Sequence, residues 1–329
     1  MISIPGIEFF TTLIIYILIF LIITLSYNLA YGYSGIPDFG RAMAAGAGGF
    51  LCGYLPGSLM AYILGIRGDY LSNVYVIVDK VNMTLESSPP LSIGLLILTL
   101  ILGACAGGLI GLLASLPILR GELGVPIPDP FRWLMHYRIL GLSPGIIRSF
   151  GLIATAGIVL LIIAYYCISV GRSPLGRVLK AIRDDEVAAA TLGRDIRKIY
   201  VKVMVVSYAI TGIAGALYAF YQGYVVGLHF DKIDWTFWPI AMVILGGLAN
   251  NKGTFLGTIT FIVLRRLITF YKSDLEFILP FSPIWLESLL LGAVLILLLI
   301  YRPRGLLPER PEIPLSREEI EKIRRKVGA

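Results

Sequence analysis

Long apolar runs separated by short polar ones organise this chain. Residues 7–30, 91–119, 146–170, 203–226 and 285–301 each supply roughly the 17–25 residues a helix needs to cross a bilayer. Charge is nearly absent inside them. Strands of membrane barrels alternate and are about half as long, so the runs predict helices. Two shorter apolar segments, 237–248 and 254–270, flank a turn at 248–253. The expectation is an all-α integral membrane protein, a polytopic helical bundle of about 7–9 membrane segments, some broken or re-entrant. The membrane domain is expected over 1–308. It would carry a polar, external loop at 66–90 and a charged, cytoplasmic coupling loop at 171–202, and a cytoplasmic tail at 309–329 would follow.

Composition agrees with the pattern: 57% of residues are hydrophobic and 15% charged, against about 25% charged in soluble domains. The position of the charge adds more. The net charge is +7. Residues 171–202 hold eight basic and four acidic residues, and 302–329 hold eight and five, so these two segments carry the whole excess. The positive-inside rule places both on the cytoplasmic face of a cell membrane. Residues 67–90, with two basic and three acidic, lean outward. Simple counting of crossings then fails. One segment must break or re-enter, and 91–119, glycine-rich at GACAGGLIG, is the suspect.

The apolar N-terminus lacks a basic leader and a small-residue cleavage site, and reads as a first span. Cys52, Cys105 and Cys167 lie far apart in apolar segments and read as small core residues. His136 and His229 sit in separate loops and form no metal cluster. The string at 171–178 has GxxxxG spacing but lacks the Lys-Ser/Thr that holds phosphate and magnesium, and Pro174 interrupts it, so the chain is expected to bind no ATP.

Glycine is concentrated in four membrane stretches. Small-xxx-small spacing assigns Gly103, Gly107, Gly111, Gly212 and Ala216 to close helix packing. The stretches 32–53 and 245–257 differ, since they mix glycine with Pro37, Asp38, Arg41, Asn250, Asn251 and Lys252. Irregular backbone at membrane depth is tolerated where protein or a water-filled cavity covers it, as in the broken helices of transporters. Gly32, Ser34, Gly35, Asp38, Gly246, Gly247 and Asn250 are therefore candidates for a substrate pathway or gate. Ordinary interfacial turns are the alternative. Asp38 and Arg41 are spaced to pair on one helical turn.

The charged stretch GRVLKAIRDDEVAAATLG (176–193) reads as two short helices kinked near Asp184. Leu175, Val178, Leu179 and Ile182 form an apolar stripe. Aspartate suits an N-cap and the acids suit a first turn, while Gly193 stands where a C-cap glycine belongs. The second helix offers a nearly flat alanine face, suited to a groove on a partner. A solvated loop held at the lipid headgroups by its basic residues is the alternative.

The order of letters here resembles the coupling segment of ABC importer permeases, whose Glu-Ala-Ala and downstream Gly dock on the ATPase subunit. The matching letters are Glu186, Ala188, Ala189 and Gly193, preceded by Arg183, Asp184 and Asp185. SPLGRVLKAIRDDEVAAATLG looks most like the LivM branch of the LivM/LivH branched-chain amino acid permeases. SYNLAYGYSGIPDFG, with Asn28, Leu29, Gly32, Tyr33 and Gly35, together with GIAGALYAFYQGYV, MVILGGLANNKGTFLG and YRPRGLLP, agree in order. The chain departs from the family at Asp38–Arg41, where a Ser-Leu-Gly-His run is usual, at 119–121, where an apolar segment is missing, and in the insert 67–90.

The resemblance implies a membrane permease subunit of an ATP-driven importer for branched-chain or related amino acids. Its partners would be a second, LivH-like permease, two ATPase subunits and an external substrate-binding protein. Magnesium-ATP would bind the ATPases, and this chain would hold no cofactor, catalytic residue, metal or nucleic acid. An ion-coupled carrier or channel is the alternative, with Arg265 and Arg266 as its ionisable residues. A membrane enzyme would need a second Asp-rich motif beside 184–186, and none is present. The tail 316–327 reads as a short amphiphilic helix, with Ser316 and Glu319 at capping-box spacing.

Overall fold

The computed structural model describes residues 6–36, 38–65, 74–113, 125–136, 143–191, 195–271 and 305–309, with isolated positions in 289–301. Five described helices are long and apolar enough to cross a membrane, and all pack side by side. Helix α1 (Ile7–Tyr27) continues as a π-helical turn, Asn28–Tyr33. Irregular backbone then reverses the chain into α2 (Arg41–Ile63). The others are α3 (Val74–Ser87), α4 (Pro89–Leu113), α5 (Pro144–Arg172), α6 (Pro174–Asp184), α7 (Glu186–Thr191), α8 (Ile196–Gln222), α9 (Trp238–Gly246) and α10 (Asn251–Phe270). Of the fifth apolar run, 285–301, most residues lie outside those described, as do Gly193 and the tail helix at 316–327.

The bundle has two ends. The near end gathers the π turn of α1, the start of α8, α6 and the turn between α9 and α10 around Leu29, Tyr33, Leu179, Val203 and Ala249. The far end carries α3 and a short antiparallel pair, β1 (Val125–Pro126) with β2 (Tyr224–Val225), in the register Val125↔Val225. In the polar stretch expected as a loop at 66–90, the described residues, 74–90, are thus nearly all helix, and 66–73 lie outside the described residues. Val74, Ile77, Val78, Val81 and Leu85 bury one stripe of α3 against Met60 and Leu95, while Arg132 pairs with Glu86. The sequence contains that stripe at i, i+3, i+4 and i+7, between charges that dominate a composition count.

Within the suspect segment 91–119, residues 91–113 do not break: they belong to α4, one continuous helix of 25 residues, and 114–119 lie outside the described residues. Its glycines serve packing instead. A Cβ on Gly107 would lie 2.3 Å from the Tyr208 carbonyl oxygen, and one on Gly212 would lie 2.2 Å from that of Gly103. Only glycine lets α4 and α8 approach this closely. Helix α4 ends toward the near end, whereas Val125 pairs with Val225 at the far end. Residues 114–124, which connect the two, lie outside the described residues.

Interruption occurs instead at 35–36 and 38–40 and at the α9–α10 turn. The π turn Ile233–Phe237 and α9 together make 5 and 9 residues, about 21 Å of helix, too short for a bilayer core of about 30 Å. Helix α10 then runs back, so the two form a hairpin.

Candidate functional site

The charged stretch at 173–191 folds as its capping signals direct. Ser173 accepts a hydrogen bond from the Gly176 amide at 3.3 Å, and Pro174 occupies the first turn of α6. Leu179 and Ile182 are buried and seat α6 on the bundle, while Val178 is half-buried and Leu175, expected in the same stripe, is 41% exposed. The kink falls at Asp185, which is extended. Asp185, not Asp184, caps α7, its Oδ1 accepting from the Ala188 amide at 2.9 Å. Asp184 stays exposed beside Arg183. In α7, Ala189 faces inward and is buried, while Glu186, Val187, Ala188 and Ala190 are exposed. Asp195 then caps α8, and hydrogen bonds from Lys198 hold its carboxyl below the usual carboxylate range.

Beneath this exposed tip lies a polar junction. Arg183 Nη1 donates to the Gly32 carbonyl at 2.9 Å, and its Nη2 pairs with Glu309 at 3.0 Å. Lys180 pairs with the same carboxylate at 3.0 Å. The stem of Arg183 covers Gly35, where a Cβ would come within 2.8 Å of its Cγ. The segment 305–309 is itself laced to the α9–α10 turn. The Leu306 amide donates to Leu245 O at 2.8 Å, and the Leu307 amide to Gly246 O at 2.9 Å. Asn250 caps α10 through its Oδ1 and donates from Nδ2 to Leu307 O at 3.0 Å.

The π turn of α1 grips that turn from the other side. Asn28 Oδ1 accepts from the Ala249 amide at 2.9 Å, and its Nδ2 donates to Asn251 Oδ1 at 2.8 Å. Ala249 holds φ = 56°, a left-handed conformation unusual for a residue with a Cβ, and it follows Gly247 at φ = 114°. A Cβ on Gly32 would lie 2.7 Å from the Ala249 nitrogen. π turns and strained backbone concentrate at functional positions.

The junction thus unites most of the residues singled out in the sequence. Gly32 and Gly35 of the first glycine stretch are joined to Gly246, Gly247 and Asn250 of the second through Asn28, Ala249 and the 305–309 segment, and Arg183 touches both Gly32 and Glu309. Ser34 is buried beside them, its hydroxyl donating to the Ala30 carbonyl. Asp38 goes elsewhere. It pairs with Arg41 at 2.6 Å, both fully buried, accepts from the Tyr208 hydroxyl at 2.6 Å, and lies between α1, α2 and α8. Arg41 completes its donors on Thr211 at 2.9 Å, on Ser207 O at 3.1 Å and on the Ser26 and Ser207 hydroxyls, with its guanidinium 4.4 Å above the Tyr27 ring. Every polar atom of this pair is matched, which a buried ion pair requires.

Sequence reasoning missed Glu309, Lys180, Ser26, Ser207 and Thr211. The hydroxyls left a signal: Ser207 and Thr211 stand i, i+4 in an apolar helix, a spacing that puts both on one face. Glu309 left none, being one acid at the head of a charged tail. His229 packs at the far end, where burial lowers the pKa of its imidazole. Among the described residues no group of His, Cys, Asp or Glu could hold a metal ion.

A family model described as the permease component of branched-chain amino acid transport systems matches residues 135–299. A probable branched-chain amino acid transport permease protein LivM of Methanocaldococcus jannaschii is 31% identical over 349 aligned positions, covering 96% of this chain and 99% of that one. The high-affinity LivM permease proteins of Escherichia coli and Salmonella typhimurium are 34% and 33% identical over 146 residues, 44% of this chain and 31% of each of theirs. No solved structure gives a significant match. With a relative aligned along nearly the full length of both chains and the family model spanning half of this one, the chain belongs to the LivM family of branched-chain amino acid transport permeases.

Proposed function

We propose that this chain is the membrane permease subunit of an ATP-driven importer of branched-chain amino acids, driven through 174–191. One observation carries the reading. Helix α7 keeps an outer face of Glu186, Val187, Ala188 and Ala190 exposed, while α6 beneath it is bound by Arg183 and Lys180 to the ends of α1 and the 305–309 segment. A push on α7 reaches three parts of the bundle at once. A face of small side chains rimmed by acids fits a groove on a separate ATPase subunit. In this reading the near end is cytoplasmic, in accord with its excess of Lys and Arg. The far end, with α3, meets a substrate-binding protein outside the plasma membrane. A second permease and two ATPases complete the assembly, and magnesium-ATP binds the ATPases.

Arg183 would act as a positioning residue. As ATP closes the ATPases, displacement of α7 would be passed by Arg183 to Gly32 and by Glu309 to the α9–α10 turn. The π turn and Ala249 would yield first, because their backbone lies away from the deepest helical wells.

Reconstitution with the partner subunits tests the proposal. Wild type is expected to accumulate leucine only with ATP and all partners present. Glu186→Lys and Ala188→Arg should abolish uptake while the chain still inserts. Normal uptake by both variants would sink the docking role. Uptake driven by an ion gradient with this chain alone would favour the ion-coupled carrier.

A further inference from the structure

A cavity of about 650 Å³ opens at the far end, between the starts of α1 and α5 and the end of α10. Its walls are Ile7, Phe9, Ile146 and Phe270, and two side chains of opposite charge, Glu8 and Arg266, line it. Neighbouring arginines on α10 have different fates. Arg265 pairs with Asp234 at 2.8 Å. Arg266, half-buried, lies 3.6 Å from the centre of the Tyr16 ring and pairs with no carboxylate among the described residues. Glu8 likewise has no basic partner among them.

An arginine in an apolar helix is costly and marks function by default. Stacking on Tyr16 fixes the plane of the guanidinium, and its donor edge is the part that grips a carboxylate at two points. A carboxylate in the same cavity suits an ammonium group, and four apolar walls suit a branched aliphatic side chain. The volume lies within the range of small-molecule sites, about 300–1,000 Å³.

We propose that this cavity receives an α-amino acid in its zwitterionic form, with Arg266 holding the carboxylate, Glu8 the ammonium group and the apolar walls the side chain. The inference rests on the importer reading and adds a substrate-contact site at the end of the bundle opposite α6 and α7.

The test uses the assembled importer in proteoliposomes, with two readouts. Arg266→Ala should cut ATP-dependent leucine uptake at sub-saturating leucine by about tenfold or more, the usual effect of losing one charge-assisted hydrogen bond. Arg266→Lys and Glu8→Gln should fall between that variant and wild type. The second readout keeps Arg266 intact. Thr12, which lines the cavity, is replaced by Cys in a Cys105→Ser background, since Cys105 is exposed. Without the binding protein, leucine should slow maleimide labelling of Thr12→Cys, whereas leucinamide and isocaproate, each lacking one charge, should not. Labelling indifferent to millimolar leucine, or wild-type uptake by the Arg266 variants, overturns the proposal. So does protection that follows the anionic lipid content of the vesicle, which identifies a lipid headgroup as the ligand. Failure of both Arg266→Ala and Arg266→Lys to assemble would place the arginine in a subunit contact and also overturn it. If wild type imports no amino acid at all, the importer reading fails instead, and the labelling readout still decides whether the cavity binds one.

Discussion

The α4–α8 seam and the junction at the near end both bring distant parts of the chain into contact, by different means. At the seam, backbone meets backbone: Gly107 and Gly212 leave no room for a methyl group, and one on Gly103 would crowd Ala216 and the Gly212 carbonyl at 3.1 Å. Contact of this kind is held by dispersion over close-packed surfaces and has one good arrangement. Beside it, Arg41 ties α2 to α1 and α8 through a fully matched set of donors. The near-end junction uses side-chain amides, ion pairs at a partly buried carboxylate, a π turn and a left-handed alanine. Such contacts can re-form in a shifted register at small cost. On the proposed reading, the first region would behave as a rigid body and the second would be the part that a push on α7 deforms.

That contrast can be broken at its strong side first. Arg41→Ala strands the Asp38 carboxylate among α1, α2 and α8, and removal of one member of a buried pair costs about 3–5 kcal/mol. We expect a large fall in the thermal unfolding midpoint in detergent. An Arg41→Ala protein as stable as wild type would deny that the pair helps hold the rigid body together.

The junction should respond in activity, not in stability. Arg183→Ala removes the bond to Gly32 O and one of two pairs to Glu309, both at the surface end of the bundle. Arg183 and Glu309 are each only about a quarter exposed, but Lys180 remains to pair with the Glu309 carboxylate, so no charge is stranded and the cost to folding should stay near that of a surface pair, about 1 kcal/mol. The expected outcome is an unchanged unfolding midpoint with leucine uptake per ATP hydrolysed reduced, by about tenfold if one charge-assisted bond carries the coupling. Equal losses of stability and uptake would erase the distinction between the two regions.

The smallest effect sharpens the contrast. Ala249→Gly relieves a left-handed backbone that costs a residue with a Cβ about 1–2 kcal/mol. Glycine adds unfolded-state entropy, so the net gain in stability should be about 1 kcal/mol or less. If strain at Ala249 helps the turn move, the stabilised variant should import more slowly, which initial-rate uptake measures.

Much of the fold is legible in the chain before any coordinates. Four of the five long apolar runs become helices, the 237–248 and 254–270 pair becomes the α9–α10 hairpin, and the Asp38–Arg41 pairing follows from spacing alone. The kink at 184–186 is legible too, one residue early, because either aspartate could cap and only the backbone chooses Asp185. Helix α3 was obscured by counting charge over a window that its buried stripe shares with Asp79, Lys80 and Glu86.

By itself the sequence determined which of the long apolar segments fold as helices and where a capping side chain starts α6, α8 and α10. Those outcomes depend on neighbours within a turn or two, through apolar area, capping hydroxyls and carboxylates, and backbone freedom. Only the tertiary structure decided that Gly32, Gly246, Arg183 and Glu309 share one junction, while Asp38 lies apart from it between α1, α2 and α8. Arg183 is separated from Gly32 by 151 positions and Asn28 from Ala249 by 221. Contacts that remote depend on which helix faces fit together, and hydrophobic periodicity does not record that for any one helix.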